Sequence, residues 1–184
     1  MNFSKFDNDP FISSNDRSCD HLENYNISPI SLPNQDGNLL KLNRQDTFRI
    51  VLYCYPMTGR PDKPLPKNWN QIPGASGCTL QNSSFRDNYD EIITLNAVPV
   101  GLTTQSVEDI KEMTTRLQIK SDILSDANLN FIKKLQLPTF EVENLIFVRR
   151  LTLIIEKSVI KKFFYPIFSY DKHINDVIKW LKVN

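Results

Sequence analysis

Cysteine is scarce in this chain: Cys19, Cys54 and Cys78 are the only three among 184 residues. They are too few and too scattered for a disulfide framework. No two of them form a Cys-x-x-Cys pair, which argues against a dithiol exchanger and against a zinc ribbon. Histidine is scarcer still. His21 and His173 stand far apart, neither has a partner at metal-ligand spacing, and both read as surface or local-packing residues. No metal site is expected, and nothing calls for another cofactor. A charge excess is also missing: Lys and Arg number 22 against 21 Asp and Glu, a formal net charge of +1. That balance gives no basis for binding nucleic acid or an acidic membrane surface. No apolar run approaches the ~20 residues of a membrane-spanning helix. The opening residues, with Asp7, Asp9 and a single Lys5, lack the basic-then-apolar pattern of a secretion signal. The cytoplasm is the expected location.

What is present is ordinary in amount and informative in order. Hydrophobic residues make up 40% and charged residues 23%, which fits one globular domain with a sizeable core. Residues 1–27 are rich in Asn, Asp and Ser, with Phe3, Phe6, Phe11 and Ile12 as their larger apolar members. They read as an N-terminal extension, a tail or arm, ahead of a domain covering residues 28–184. Asp36-Gly37 between two short apolar runs predicts a hairpin over 30–42. Residues 49–55, almost all apolar and β-prone, predict a central strand buried on both faces and closed by Pro56. A long proline-containing loop follows over 57–72, of a length that is often functional.

A helix is expected from Cys78 to about Ile92, then a returning strand over 93–103. Ser106 with Asp109 reads as a capping pair for a helix ending near Leu117. Asp126 opens a further helix carrying Leu129, Ile132 and Leu135. Residues 150–156 and 158–164 read as paired strands. From Asp171 onward, Ile174, Val177, Ile178 and Leu181 mark an amphipathic terminal helix. The order predicts an α/β domain with a mixed sheet.

Within this order the segment Pro73-Gly74-Ala75-Ser76-Gly77-Cys78-Thr79-Leu80-Gln81 puts one cysteine at a loop-to-helix junction. Unpaired N–H groups of a helix's first turn, with the helix dipole, favour negative charge there. A thiolate is the reactive form of cysteine. The structural alternative is a buried, inert core cysteine.

The ordered set of segments resembles the peroxiredoxins, the group that includes thiol-specific antioxidant and bacterioferritin-comigratory-type enzymes. Leu52-Tyr53-Cys54-Tyr55-Pro56 resembles their first core strand. Gly77-Cys78-Thr79, Gln81 and Phe85-Arg86-Asp87 resemble the helix of the peroxidatic cysteine. Gly101-Leu102-Thr103-Thr104-Gln105-Ser106 resembles the following strand end. Leu137-Pro138-Thr139-Phe140 and Arg150-Leu151-Thr152-Leu153-Ile154 resemble the segment that brings an arginine to the site. The insert from Thr58 to Gly74 and the ending Phe164-Tyr165-Pro166-Ile167-Phe168 resemble one bacterial subgroup.

The resemblance implies a thioredoxin-like fold with a mixed central sheet flanked by helices and an N-terminal β-hairpin. It implies a thiol-dependent peroxidase that passes through a Cys78 sulfenic acid, with Arg150 holding the thiolate. Arg149 is a rival for that role, and the Arg-x-Thr spacing to Thr152 favours Arg150. Thr58, Ser76, Gly77 and Thr79 are the expected substrate contacts. Relatives often carry a hydroxyl residue three positions before the peroxidatic cysteine, where this chain has Ala75, so Ser76 or Thr58 is expected to supply the hydroxyl. Close relatives often carry a resolving cysteine five positions after the first, where this chain has Ser83. Cys19 and Cys54 remain as candidate resolving cysteines. The simplest expectation is a one-cysteine cycle with an external thiol reductant, whether glutathione, thioredoxin or a glutaredoxin. A homodimer is a further expectation of the family. The competing readings are a thiol–disulfide oxidoreductase, disfavoured without Cys-x-x-Cys, and a degenerate redoxin acting as a redox sensor or binding module.

Overall fold

The computed structural model describes residues 17–43 and 48–184. Its centre is a five-stranded mixed sheet, built outward from the most apolar strand. That strand, β3 (Arg49–Cys54), follows a short antiparallel hairpin of β1 (Ser31–Pro33) and β2 (Leu39–Lys41). Strand β3 pairs in parallel with β4 (Ala97–Thr103) and antiparallel with β8 (Leu151–Glu156). Outside these lie β5 (Asp122–Ser125), parallel to β4, and β9 (Val159–Phe164), antiparallel to β8. Helices α1 (Cys78–Asp87), α2 (Tyr89–Thr94), α3 (Val107–Leu117), α4 (Asn130–Lys134) and α5 (His173–Val183) complete the layers. A separate hairpin, β6 (Thr139–Val142) and β7 (Leu145–Val148), precedes β8.

The strand period of two separates the core into two faces. Ile50, Leu52 and Cys54 of β3 face one cluster, with Leu102, Leu153, Leu22 and Cys19. Val51, Tyr53 and the following Tyr55 face the other, with Cys78, Phe85, Ile110, Ile154 and Val177. This division decides which side chains can meet at the site.

Both sheet edges are covered, which removes templates for edge-to-edge association. On β9, the Asn24 and Ile27 N–H groups donate to the Ile160 and Ser158 carbonyls, and the Ile160 N–H donates to Tyr25. Cys19, Leu22 and Ile27 are buried there, so residues 17–27 pack on the same core as the rest of the chain. The first 16 residues of the expected extension lie outside the described residues. On β5, the β1–β2 hairpin is tied down by Asn34 Nδ2 donating to Asp122 and by the Ile123 N–H donating to Gln35.

Several boundaries differ from expectation. The helix after Cys78 does not run unbroken to Ile92: Asn88 leaves helical geometry (φ −102°, ψ 11°) and splits it into α1 and α2. The returning strand starts at Ala97, after the Asn96 turn (φ 53°). The strand expected from Arg150 begins at Leu151. Strand β5 and the β6–β7 hairpin were not anticipated. The Ser106 cap is as expected: its Oγ accepts the Asp109 N–H at 3.1 Å and donates to the Asp109 carboxylate at 2.9 Å. The long loop over 57–72 has no strand and only a short 3-10 turn, Trp69–Gln71. It is fastened to α3, where Arg60 meets Glu108 and Asp109 at 3.1 Å each. The Tyr165–Pro166 peptide bond is cis.

Candidate active site

Helix α1 buries Cys78, Gln81, Asn82 and Phe85, positions i, i+3, i+4 and i+7 that share one helical face. Phe85 stacks on Tyr53 with ring centroids 3.9 Å apart. The Tyr53 hydroxyl donates to Asn82 Oδ1 at 3.2 Å, and Asn82 Nδ2 donates to the Cys78 carbonyl at 2.9 Å. Burial pushes the Tyr53 phenol well up, so it stays a neutral donor. These contacts fix the first turn of α1 against β3. Gly77 caps that turn at φ 93°, a left-handed conformation that glycine adopts without a steric penalty.

Cys78 is 3% exposed. Its Sγ lies 3.4 Å from the Ala75 carbonyl, to which a thiol there donates. Arg150 Nη2 approaches the same sulfur at 3.3 Å. Arg150 is itself buried, 3% exposed, and its Nη2 also donates to the Ser76 and Gly74 carbonyls at 2.9 and 3.2 Å. Its Nη1 donates to Gln81 Oε1. The guanidinium therefore ties the 74–77 turn, the first turns of α1 and the sulfur together. A buried guanidinium keeps its charge, so a fixed cation lies against the sulfur. Among the described residues, Arg150 Nε and Gln81 Nε2 are buried donors with no hydrogen-bond partner.

The rival Arg149 points elsewhere, its guanidinium carbon 5.5 Å from the Phe140 ring centroid. Both arginines lie in the bend between β7 and β8. Arg150 falls in phase with Thr152 and Ile154, on the face that holds Cys78.

The expected hydroxyls do not gather at the sulfur. Thr58 is buried, and its Oγ1 donates to Gln105 Oε1 at 3.2 Å. Ser76 Oγ donates to Asn70 Oδ1 at 3.2 Å, and only its carbonyl reaches Arg150. Thr79 is exposed on the first turn of α1. The Ala75 carbonyl is what faces Cys78. Cys19 and Cys54 are buried in the cluster on the opposite face of the sheet. Burial pushes the Cys54 thiol well up, with Cys19 and Asp126 nearby adding to the effect, which keeps it neutral and unreactive.

Two further residues complete the site. Gln81 entered the sequence reading only as part of a motif. Its signal was available in the sequence, because a polar residue three positions after Cys78 shares the cysteine's helix face. His173, expected at the surface or in local packing, is buried at the start of α5, with Nε2 2.9 Å from Thr152 Oγ1. Burial lowers its pKa to about 4, with the Arg150 charge lowering it further and Asp176 opposing, so the imidazole is neutral at pH 7. Among the described residues, no group of three or more His, Cys, Asp or Glu is arranged to hold a metal ion. None of the described helices is long and apolar enough to cross a membrane.

Known proteins resemble this chain in sequence and in fold. The sequence profile of the AhpC/TSA family matches residues 70–163. The chain is 26% identical over 155 residues to the chloroplastic peroxiredoxin Q of Sedum lineare, covering 84% of this chain and 74% of that protein. It is 24% identical over 160 residues to peroxiredoxin Bcp of Escherichia coli K12, covering 85% and 93%. Its fold matches the crystal structure of peroxidoxin BcpB from Mycobacterium tuberculosis with a TM-score of 0.71 at 21% identity, over 88% of this chain and 96% of that one. It matches the crystal structure of a cysteine-to-serine mutant of Xylella fastidiosa PrxQ with a TM-score of 0.70 at 16% identity, over 88% and 95%.

Proposed function

The chain belongs to the AhpC/TSA family and is an oxidoreductase of the peroxiredoxin, thiol peroxidase type; from that premise we propose that it reduces hydroperoxides through a Cys78 sulfenic acid and regenerates the thiol in a one-cysteine cycle. The observation that carries the reading is the pairing of a buried Cys78 sulfur with Arg150 Nη2 at 3.3 Å, while Cys19 and Cys54 lie across the sheet.

In the first step the Cys78 thiolate attacks the terminal oxygen of ROOH. The S–O bond forms as the O–O bond breaks, the sulfur is oxidised to sulfenic acid, and the alkoxide or hydroxide leaves with a proton from water. Arg150 stabilises the thiolate before attack and the negative charge that develops on the leaving oxygen. The unpaired donors Arg150 Nε and Gln81 Nε2 are available to the peroxide oxygens, a role that fixed donors serve better than mobile hydroxyls. In the second step an external thiol attacks the sulfenic acid, giving a mixed disulfide and water. A second external thiol then releases Cys78 as thiol and leaves as a disulfide.

The one-cysteine cycle is tested with the Cys19→Ala, Cys54→Ala double variant. Turnover with an external thiol should stay within about threefold of wild type, a small change on the scale where tenfold is 1.4 kcal/mol. An oxidised wild-type protein whose mass shows an internal Cys78 disulfide, lost together with turnover in the double variant, would replace this cycle with a two-cysteine one.

A further inference from the structure

We propose that Tyr170 is a lid over Cys78 that limits by size what reaches the sulfur, with Gly77 as the seat on which it closes. The inference rests on the reading of Cys78 as the reacting group and adds a selectivity residue from a different part of the chain.

Tyr170 lies in the turn that joins β9 to α5, where the Ser169 carbonyl accepts the Lys172 and His173 N–H groups at 3.1 and 2.9 Å. Its ring rests directly on Gly77. A Cβ at that position would stand 2.3, 2.5 and 2.7 Å from ring atoms Cζ, Cε2 and Cε1. The same ring has the Arg150 guanidinium carbon 5.1 Å from its centroid, within cation–π range. Tyr170 thus spans the residue immediately before Cys78 and the cation that contacts its sulfur. Cys78 is left 3% exposed, although any co-substrate must reach it. Tyr170 itself is only half-buried, so rotation of its side chain lifts the ring without disturbing the core.

Size selection follows from this placement. A reagent of a few atoms needs little room beside the sulfur. A bulky one must displace the ring from Gly77 and Arg150, and that opening cost enters its rate alone. The seat explains a second requirement at position 77. Glycine is needed there for its positive φ and also because any side chain would collide with the lid.

The test is the rate of Cys78 alkylation, read by peptide mass, with iodoacetamide as the small reagent and pyrene maleimide as the bulky one. Wild type is compared with Tyr170→Phe, Tyr170→Leu and Tyr170→Ala. The ratio of bulky to small rates should rise about tenfold in Tyr170→Ala, equivalent to roughly 1.4 kcal/mol of opening cost. It should rise less in Tyr170→Leu and stay at the wild-type value in Tyr170→Phe, which keeps the ring. The ratio of oxidation rates with cumene hydroperoxide and hydrogen peroxide should move in the same direction. An unchanged ratio in both the Leu and Ala variants, or an equal gain for both reagents, overturns the lid. Absence of sulfenic acid at Cys78 in the wild type would instead overturn the peroxidase reading, and the alkylation ratios would still decide the lid.

Discussion

In the proposed mechanism Cys78 and Arg150 divide the chemistry between a nucleophile and a fixed cation, and their contributions separate by substitution. Arg150→Met should slow Cys78 oxidation by about 100- to 1,000-fold, the usual cost of losing a fixed charge-stabilising donor. Arg150→Lys should restore only part of it, because an ammonium cannot reproduce the forked contacts to Ser76, Gly74 and Gln81. Stopped-flow oxidation checks both, and a lysine variant at full rate would reduce Arg150 to a simple point charge. His173 acts on stability. Its folded-state pKa of about 4 lies below the ordinary 6.5. Between those values the unfolded chain binds more protons, so stability is full above about pH 6.5 and falls as pH drops towards about 4. The total loss is on the order of 3 kcal/mol. His173→Gln, which can still bond Thr152, should flatten that slope in denaturant titrations across the window. An unchanged slope would mean that another group titrates there.

At the scale of elements, what was legible depended on whether the local chemistry carried a signature. The Ser106 cap did, and α3 starts where it predicts. Ser106→Ala should lower stability by about 1 kcal/mol, measurable as a shift in unfolding midpoint without loss of activity. The buried strand β3 and the terminal helix were equally plain from their periods. The β6–β7 hairpin was not, because its turn residues Glu143 and Asn144 both have positive φ, 51° and 64°. Such a turn is usually announced by Asn-Gly or Asp-Gly, and Glu143 gives no such signal. Strand β5 is only four residues long, too short for alternation to register. The apolar spacing ran on through Ile92 and hid the break at Asn88. At the site, Cys78 was visible from its loop-to-helix setting. Arg150 was visible only through family resemblance, since two adjacent arginines alone read as a solvated pair. Tyr170 had no sequence signal at all, because its contacts to Gly77 and Arg150 join segments far apart in the chain.

At the scale of the whole molecule, the central sheet acts as a partition. It keeps Cys19 and Cys54 on one face and Cys78 with Arg150 on the other, the separation on which the proposed one-cysteine cycle rests. Residues 17–27 close the β9 edge of that sheet and contribute Leu22, which is fully buried. Leu22→Ala should cost about 2–5 kcal/mol. Deleting residues 1–27 should also promote association through the uncovered edge, visible as a concentration-dependent rise in mass by light scattering. A deletion that keeps the mass and the stability of the intact protein would show that the segment is dispensable. The most direct test of the account is single-turnover oxidation of wild type and Cys78→Ser by hydrogen peroxide, with a sulfenic-acid trap and intact mass as readout. Rapid trapping of one equivalent at Cys78, absent in the variant, is the predicted result; a Cys78 that reacts no faster than a free thiol would contradict it.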